Sequence, residues 1–350
     1  MLYGTENLHG GDVYAREIEL DYSANINPYG TPQSVIDAAA EALTQIRNYP
    51  DPYCRALIRA IADYEQVPET YVLCGSGAAE LIYAYCSAAR PRCAVELAPT
   101  FSEYALGLET VGCRTERYLL KRENGFVLDG GFFAFLEETA PEAVFLCNPN
   151  NPTGRLIPRE MLVRILDYCR DRGIRVLLDE CFIDLSDRGE SMVEDLAGYP
   201  GLLILKAFTK NYGMAGLRLG YCLSADAALL GRMSAATQPW NVSTPAQAAG
   251  VAAIGERAFV EKARRTIDTE RAWLTERLIS CGFEVCPSST NFILFRGPEK
   301  LHAALLERKI AIRNCDNFHG LGPGWYRIAV RLREQNEKLM DAICDTIREG

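Results

Sequence analysis

Short apolar runs alternate with helical periods over the first two-thirds of the chain. Val72 to Cys74 reads as a strand entering a glycine-rich turn, with a helix beginning at Ala78. Ala94 to Leu97 and Ala143 to Cys147 read as further strands. From Arg159 to Arg172 the apolar positions Met161, Leu162, Ile165, Leu166 and Cys169 fall on one helical face. Val176, Leu177 and Leu178 form a fully apolar strand core that ends in Asp179, and Leu202 to Leu205 and Leu219 to Leu223 add two more strands. Apolar strands alternating with helices predict a buried, mostly parallel sheet of an α/β protein.

The pattern changes on either side of this region. Residues 1–30 are irregular and polar and end in the turn-rich Asn25-Ile26-Asn27-Pro28-Tyr29-Gly30, after which Pro32 to Leu43 reads as an amphipathic helix. Beyond residue 225, Phe259 to Cys281 is a long charged helix. Strands follow near Asn291 to Phe295, Ile310 to Arg313 and Arg327 to Val330, and a last helix near Glu334 to Arg348. The expected organisation is an N-terminal arm (1–30) associated with the smaller domain, a large domain (31–225) and a smaller C-terminal α/β domain (226–350).

Composition narrows the function. Of 350 residues, 48% are hydrophobic and 24% charged, ordinary values for a globular chain able to bury a sizeable core. A net charge of −9 with no basic stripe argues against nucleic acid as the main partner. A local arginine cluster can still bind a small anion. The thirteen cysteines are scattered, many in apolar runs, and form no CxxC pair. They read as buried hydrophobes of a reducing compartment, with no metal site expected. No signal peptide and no membrane-spanning run is visible, so the expected location is the cytoplasm and no membrane partner is expected.

Four segments carry candidate chemistry. Lys210 follows a buried apolar strand in Ala207-Phe208-Thr209-Lys210, where an ammonium must be paired or have its pKa lowered. Arg218 lies eight residues on, between Gly216 and Gly220, and suits a phosphate; the spacing alone also fits a surface turn with two ordinary cations. Asn148-Pro149-Asn150-Asn151-Pro152-Thr153-Gly154 follows a strand, where open α/β sheets bind ligands, although such a loop also simply stops a strand. Asp179 at a buried strand tip needs a partner, either a protonated ring nitrogen or a structural cap or ion pair. Cys74-Gly75-Ser76-Gly77-Ala78 makes either a phosphate cradle or a tight turn.

In this order and spacing the four segments resemble the fold-type I pyridoxal 5′-phosphate (PLP) enzymes, the aspartate aminotransferase superfamily. The resemblance runs from about residue 20 to 348 and implies a large domain with a mostly parallel central sheet flanked by helices. It implies that Lys210 carries the cofactor as a Schiff base and moves the proton at the substrate Cα, and that Asp179 keeps the pyridine nitrogen protonated. Asn151 would donate to the ring oxygen and Phe101 would stack on the ring. Ser76, Gly77, Ala78, Thr209 and Arg218 would hold the phosphate. Tyr49 would reach the neighbouring subunit's cofactor, which implies a homodimer with composite sites. Phe182 and Ala207 stand where the superfamily often has tyrosine and serine.

Two branches fit. The short chain, Asn148 to Gly154 and Tyr49-Pro50-Asp51 are similar to histidinol-phosphate aminotransferases. His9-Gly10-Gly11, Asp21 to Pro28, Asp179-Glu180-Cys181-Phe182, Ile312 to Phe318 and Ala329-Val330-Arg331 look more like threonine-phosphate decarboxylases of cobalamin synthesis. Arg327 matches the binder of the substrate α-carboxylate, while His9, Asn27, Arg313 and Arg331 are the candidates for the rest of a phosphorylated substrate. The expected activity is decarboxylation of L-threonine O-3-phosphate or a close phospho-amino acid. The alternatives are aminotransfer of the histidinol-phosphate type and, more remotely, a PLP-binding protein without turnover.

Overall fold

The computed structural model describes residues 9–349. Its elements begin with β1 (Leu20–Asp21), α1 (Gln33–Ala42), α2 (Arg55–Glu65), β2 (Val72–Gly75), α3 (Ala78–Ala89), β3 (Cys93–Ala98), α4 (Glu103–Glu109) and β4 (Arg114–Leu119). Then come α5 (Gly131–Thr139), β5 (Ala143–Cys147), α6 (Arg159–Asp171), β6 (Arg175–Asp179), β7 (Leu202–Ala207), α7 (Phe208–Asn211), β8 (Gly220–Leu223), α8 (Ala227–Ala236), α9 (Thr244–Ile254) and α10 (Arg257–Ser280). The chain finishes with β9 (Glu284–Val285), β10 (Phe292–Arg296), α11 (Leu301–Glu307), β11 (Ile310–Ala311), β12 (Arg313–Asn314), β13 (Trp325–Ala329) and α12 (Arg333–Glu349). None of the helices is long and apolar enough to cross a membrane.

Seven strands form the central sheet in the order β2-β8-β7-β6-β5-β3-β4. All neighbours from β7 to β4 run parallel, and β8 is antiparallel to both β7 and β2. Strands β3, β5, β7 and β8 are buried at every residue, as their apolar runs require of a sheet covered on both faces. The parallel strands β5, β6 and β7 therefore deliver the residues that follow them to one edge of the sheet. Strand β4 escaped the sequence pattern because Arg-Thr-Glu-Arg-Tyr-Leu is an edge strand with no fully buried residue.

A second, four-stranded antiparallel sheet has the order β12-β13-β10-β9. The strand expected over Ile310 to Arg313 is split at Ile312: β11 pairs with β1, whereas β12 pairs with β13. The first thirty residues are thus not wholly irregular, since β1 runs parallel to β11. The Tyr22 N–H donates to the Ala311 carbonyl at 2.7 Å, and the Ala329 N–H donates to the Tyr22 carbonyl at 2.8 Å. This draws residues 20–25 along the second sheet. Asn27 continues the tie: its backbone N–H donates to the Lys210 carbonyl at 3.1 Å and its side-chain amide to the Asn211 carbonyl at 2.7 Å.

At Gly213 this segment approaches the turn after α7 closely. Gly213 has φ +64°, and a Cβ there would lie 2.5 Å from the Gly30 carbonyl oxygen. Backbone on both sides leaves no flexible atom to yield. Gly213→Ala is expected to destabilise the fold by roughly 2–4 kcal/mol, read as a fall in thermal midpoint. An unchanged midpoint would mean that the two segments are not in contact.

Candidate active site

The parallel strand ends, the β2–α3 turn and the second sheet enclose a cavity of about 440 Å³. Of the residues expected to act, His9, Ala78, Phe101, Asn151, Asp179, Thr209, Lys210, Arg218, Arg313 and Arg327 all line it, with Phe182 and Ala207. Residues more than three hundred positions apart in the chain thus meet in one space.

Lys210 stands in the single helical turn that follows β7. Burial pushes its pKa down from 10.5 to about 8, and Arg327 and Arg218 push the same way, against Cys181 and Asp179. The amine lies 5.6 Å from the centre of the Phe182 ring. Lys206, four residues earlier, is the contrasting case. Burial opposes its charge, but Asp184, Glu65 and Glu180 outweigh burial and hold the ammonium above its ordinary range. Its Nζ lies 3.2 Å from a Glu65 oxygen and 3.6 Å from Asp184. Lys206 is structural: Asp184 also takes the side-chain N–H of Asn211 at 2.6 Å and so braces the turn that carries Lys210.

Asp179 ends β6 and is buried. Desolvation raises its pKa although three hydrogen bonds work to lower it. The Tyr104 hydroxyl donates to Oδ2 at 2.6 Å and the Cys181 N–H donates to Oδ1 at 2.9 Å. Among the described residues it forms no ion pair, and a protonated ring nitrogen would supply the missing cation. Gly77, at φ +84°, precedes α3, whose N-terminus has no side-chain cap. A Cβ at Gly77 would lie 2.6 Å from a guanidinium nitrogen of Arg218. The backbone there is close enough for the helix N–H groups and Arg218 to share one phosphate. Arg218 itself has φ +56° and donates to the Ala215 carbonyl at 3.2 Å.

Arg313 and Arg327 are register partners across β12 and β13. Arg327 is buried; it donates to the Asn151 side-chain oxygen and, at 2.8 Å, to the Ser23 carbonyl. Its Nε meets no acceptor, it forms no ion pair with any described residue, and desolvation drives its pKa down to about 10. Arg313 donates to Asn317 at 2.8 Å and stacks over Phe318 at 5.1 Å.

Other expected residues lie off the cavity wall. Ser76 donates its N–H to Glu80, and Gly77 contributes only through its contact with Arg218. Asn27 is committed to the backbone of Asn211 and Tyr29. The Arg331 guanidinium donates to the Asp21 and Ala24 carbonyls, supporting the 21–25 loop from behind. Tyr49 is 77% exposed and stacks on Trp240 with centroids 4.4 Å apart. Conversely, Asn25 and Glu103 line the cavity without having been singled out in the sequence. Asn25 is buried and its side-chain oxygen has no partner. Its place after Ser23 in a turn-rich segment was the only available signal.

A desolvated lysine, a buried carboxylate and an arginine at a glycine turn define a fold-type I PLP site. Residues 17–343 match the family described as aminotransferase class I and II, and the chain belongs to that family. Its cofactor is PLP. The chain is 37% identical to the threonine-phosphate decarboxylase of Salmonella typhimurium, covering 93% of this chain and 90% of that protein. It is 31% identical to the histidinol-phosphate aminotransferase of Bacillus velezensis, covering 95% and 93%. The solved histidinol-phosphate aminotransferase from Clostridium acetobutylicum superposes with a TM-score of 0.88 at 29% identity, covering 95% of this chain and all (100%) of that one.

The lowered Lys210 pKa has a kinetic signature. Only the neutral amine attacks the cofactor aldehyde. The rate at which apoprotein captures PLP should climb about tenfold per pH unit and level off above pH about 8. A rise continuing toward pH 10 in stopped-flow absorbance would contradict the desolvation described here.

Proposed function

We propose that the chain decarboxylates L-threonine O-3-phosphate, or a close phospho-amino acid, to the corresponding phosphorylated amino alcohol. The observation that carries this is the register pair Arg313–Arg327, which sets two guanidiniums side by side facing one cavity. Like charges directly opposite on a sheet are unfavourable. A substrate bearing both a carboxylate and a phosphate relieves that cost at both ends. Histidinol phosphate carries a single anionic group, so for an aminotransferase only the glutamate half-reaction would engage both arginines. The 37% identity to a threonine-phosphate decarboxylase, against 31% to a histidinol-phosphate aminotransferase, supports the same choice.

Bound at this site, PLP supplies an electron sink for the pair left when a bond at the substrate Cα breaks. The protein residues do the rest. Arg327 takes the α-carboxylate, with its unpartnered Nε and the neighbouring Nη available to it. Asn25, His9 and Arg313 meet the phosphate. With the cofactor bound, Asp179 would hold the ring nitrogen, Asn151 the ring oxygen and Phe101 the ring face, and Thr209, Ala78 and Arg218 would hold its phosphate. After carbon dioxide leaves, the Lys210 ammonium returns a proton to Cα. Exposed Tyr49, Tyr53, Leu43, Ile46 and Trp240 form an aromatic and apolar surface suited to a second copy of the chain, with Tyr49 reaching its partner's cofactor. The product would serve cobalamin side-chain synthesis.

Transamination is the second reading, favoured by the close structural likeness to the Clostridium enzyme. One assay separates the two. Holoenzyme given L-threonine O-3-phosphate and no keto acid should release carbon dioxide continuously, and Lys210→Ala should not. Absence of release, with glutamate formed from histidinol phosphate... and 2-oxoglutarate would instead establish the aminotransferase. Under the decarboxylase reading Arg327→Ala should lower kcat/KM by about a hundredfold, the loss of roughly 3 kcal/mol of charge-assisted hydrogen bonding.

A further inference from the structure

Glu103 places a second carboxylate, besides Asp179, in a cavity that Lys210, Arg218, Arg313 and Arg327 also line. It opens α4, two residues after Phe101, and its side chain is 13% exposed. Both oxygens are engaged. Oε1 lies 2.7 Å from Nε2 of His9, and Oε2 accepts from the Tyr83 hydroxyl at 3.1 Å. The hydrogen bond with His9 is the main influence that holds the Glu103 pKa below the usual carboxylate range. The His9 ring in turn leans on Phe101, with centroids 5.7 Å apart. A bare carboxylate here would repel an anionic substrate, whereas a carboxylate engaged by the imidazole fixes the plane of the ring.

We propose that Glu103 is a positioning residue for substrate recognition: anchored by Tyr83, it holds the His9 ring at the cavity wall, oriented toward the substrate phosphate. This rests on the reading that the cavity takes a phosphorylated amino acid.

The test is a double-mutant cycle on holoenzyme with Glu103→Gln, His9→Ala and the combination, checked for cofactor content by visible absorbance. KM and kcat for L-threonine O-3-phosphate are measured, with inorganic phosphate as a competitive probe. Glu103→Gln should raise KM and the phosphate inhibition constant about tenfold, the scale of one charge-assisted hydrogen bond, with kcat nearly unchanged. Adding it to His9→Ala should change nothing further. Tyr83→Phe should shift KM the same way by less. Tighter phosphate binding in Glu103→Gln, a loss confined to kcat, or effects that add to those of His9→Ala would overturn the assignment. A wild-type enzyme that binds neither ligand would sink the functional reading itself, a result visible before any substitution is made.

Discussion

Taking the amine of Lys210 out of water is the constraint around which the site is organised. An ammonium at the end of a buried strand is unstable unless carboxylates surround it. The chain applies opposite solutions four residues apart. Lys206 has Glu65 and Asp184 within ion-pair distance and stays charged, while Lys210 has Arg327 and Arg218 as neighbours and is pushed toward the neutral amine. The first lysine braces the turn, and the second is left reactive. The change of direction between β7 and α7 makes this separation possible, because Lys206 still belongs to the strand and Lys210 to the helical turn beyond it.

The same logic leaves the site electrostatically incomplete without its ligands. Among the described residues, buried Asp179 and buried Arg327 form no ion pair, and the buried Asn25 oxygen meets no donor. Each would cost stability in a protein that did not bind something there. Their locations divide the requirement. The carboxylate sits on the central sheet, where the cofactor ring is expected; the arginine pair sits on the second sheet, on the substrate side. The residue 20–27 segment links the two, since the Ser23 carbonyl accepts from Arg327 and Asn27 donates to the Lys210 and Asn211 carbonyls of α7.

Six of the seven strands of the central sheet were legible in the sequence because they are largely apolar, a pattern independent of tertiary partners, whereas the polar edge strand β4 was not. Lys210, Asp179, Asn151 and Arg218 were legible because each directly follows such a strand or a glycine turn. Residues whose role depends on distant pairing were not. Glu103 reads as an ordinary acidic first-turn residue until His9 is placed beside it. Arg331 reads as a site cation until its carbonyl partners on the 21–25 loop are seen. The break between β11 and β12 is likewise invisible locally, because it arises from Ile312 dividing two pairings that lie far apart in sequence.

Geometry on the substrate side bears on which Cα bond breaks. The bond held perpendicular to the cofactor ring is the one weakened, so the enzyme selects a reaction by fixing a torsion. A substrate gripped only at its carboxylate retains freedom about Cα. A second grip on a phosphate, two bonds farther along the side chain, removes much of it. Arg327 and Arg313 are carried by adjacent strands of one sheet, so register sets their Cα positions opposite one another, while Asn317 and Phe318 of the following loop hold the Arg313 guanidinium. Under the decarboxylase reading, a two-point grip of this kind is a physical means of holding a carboxylate out of the ring plane. Phe182, its ring centre 5.6 Å from the Lys210 amine, has no hydroxyl to offer, so the polar contact between the cofactor side and the arginine pair is the one from Arg327 to Asn151.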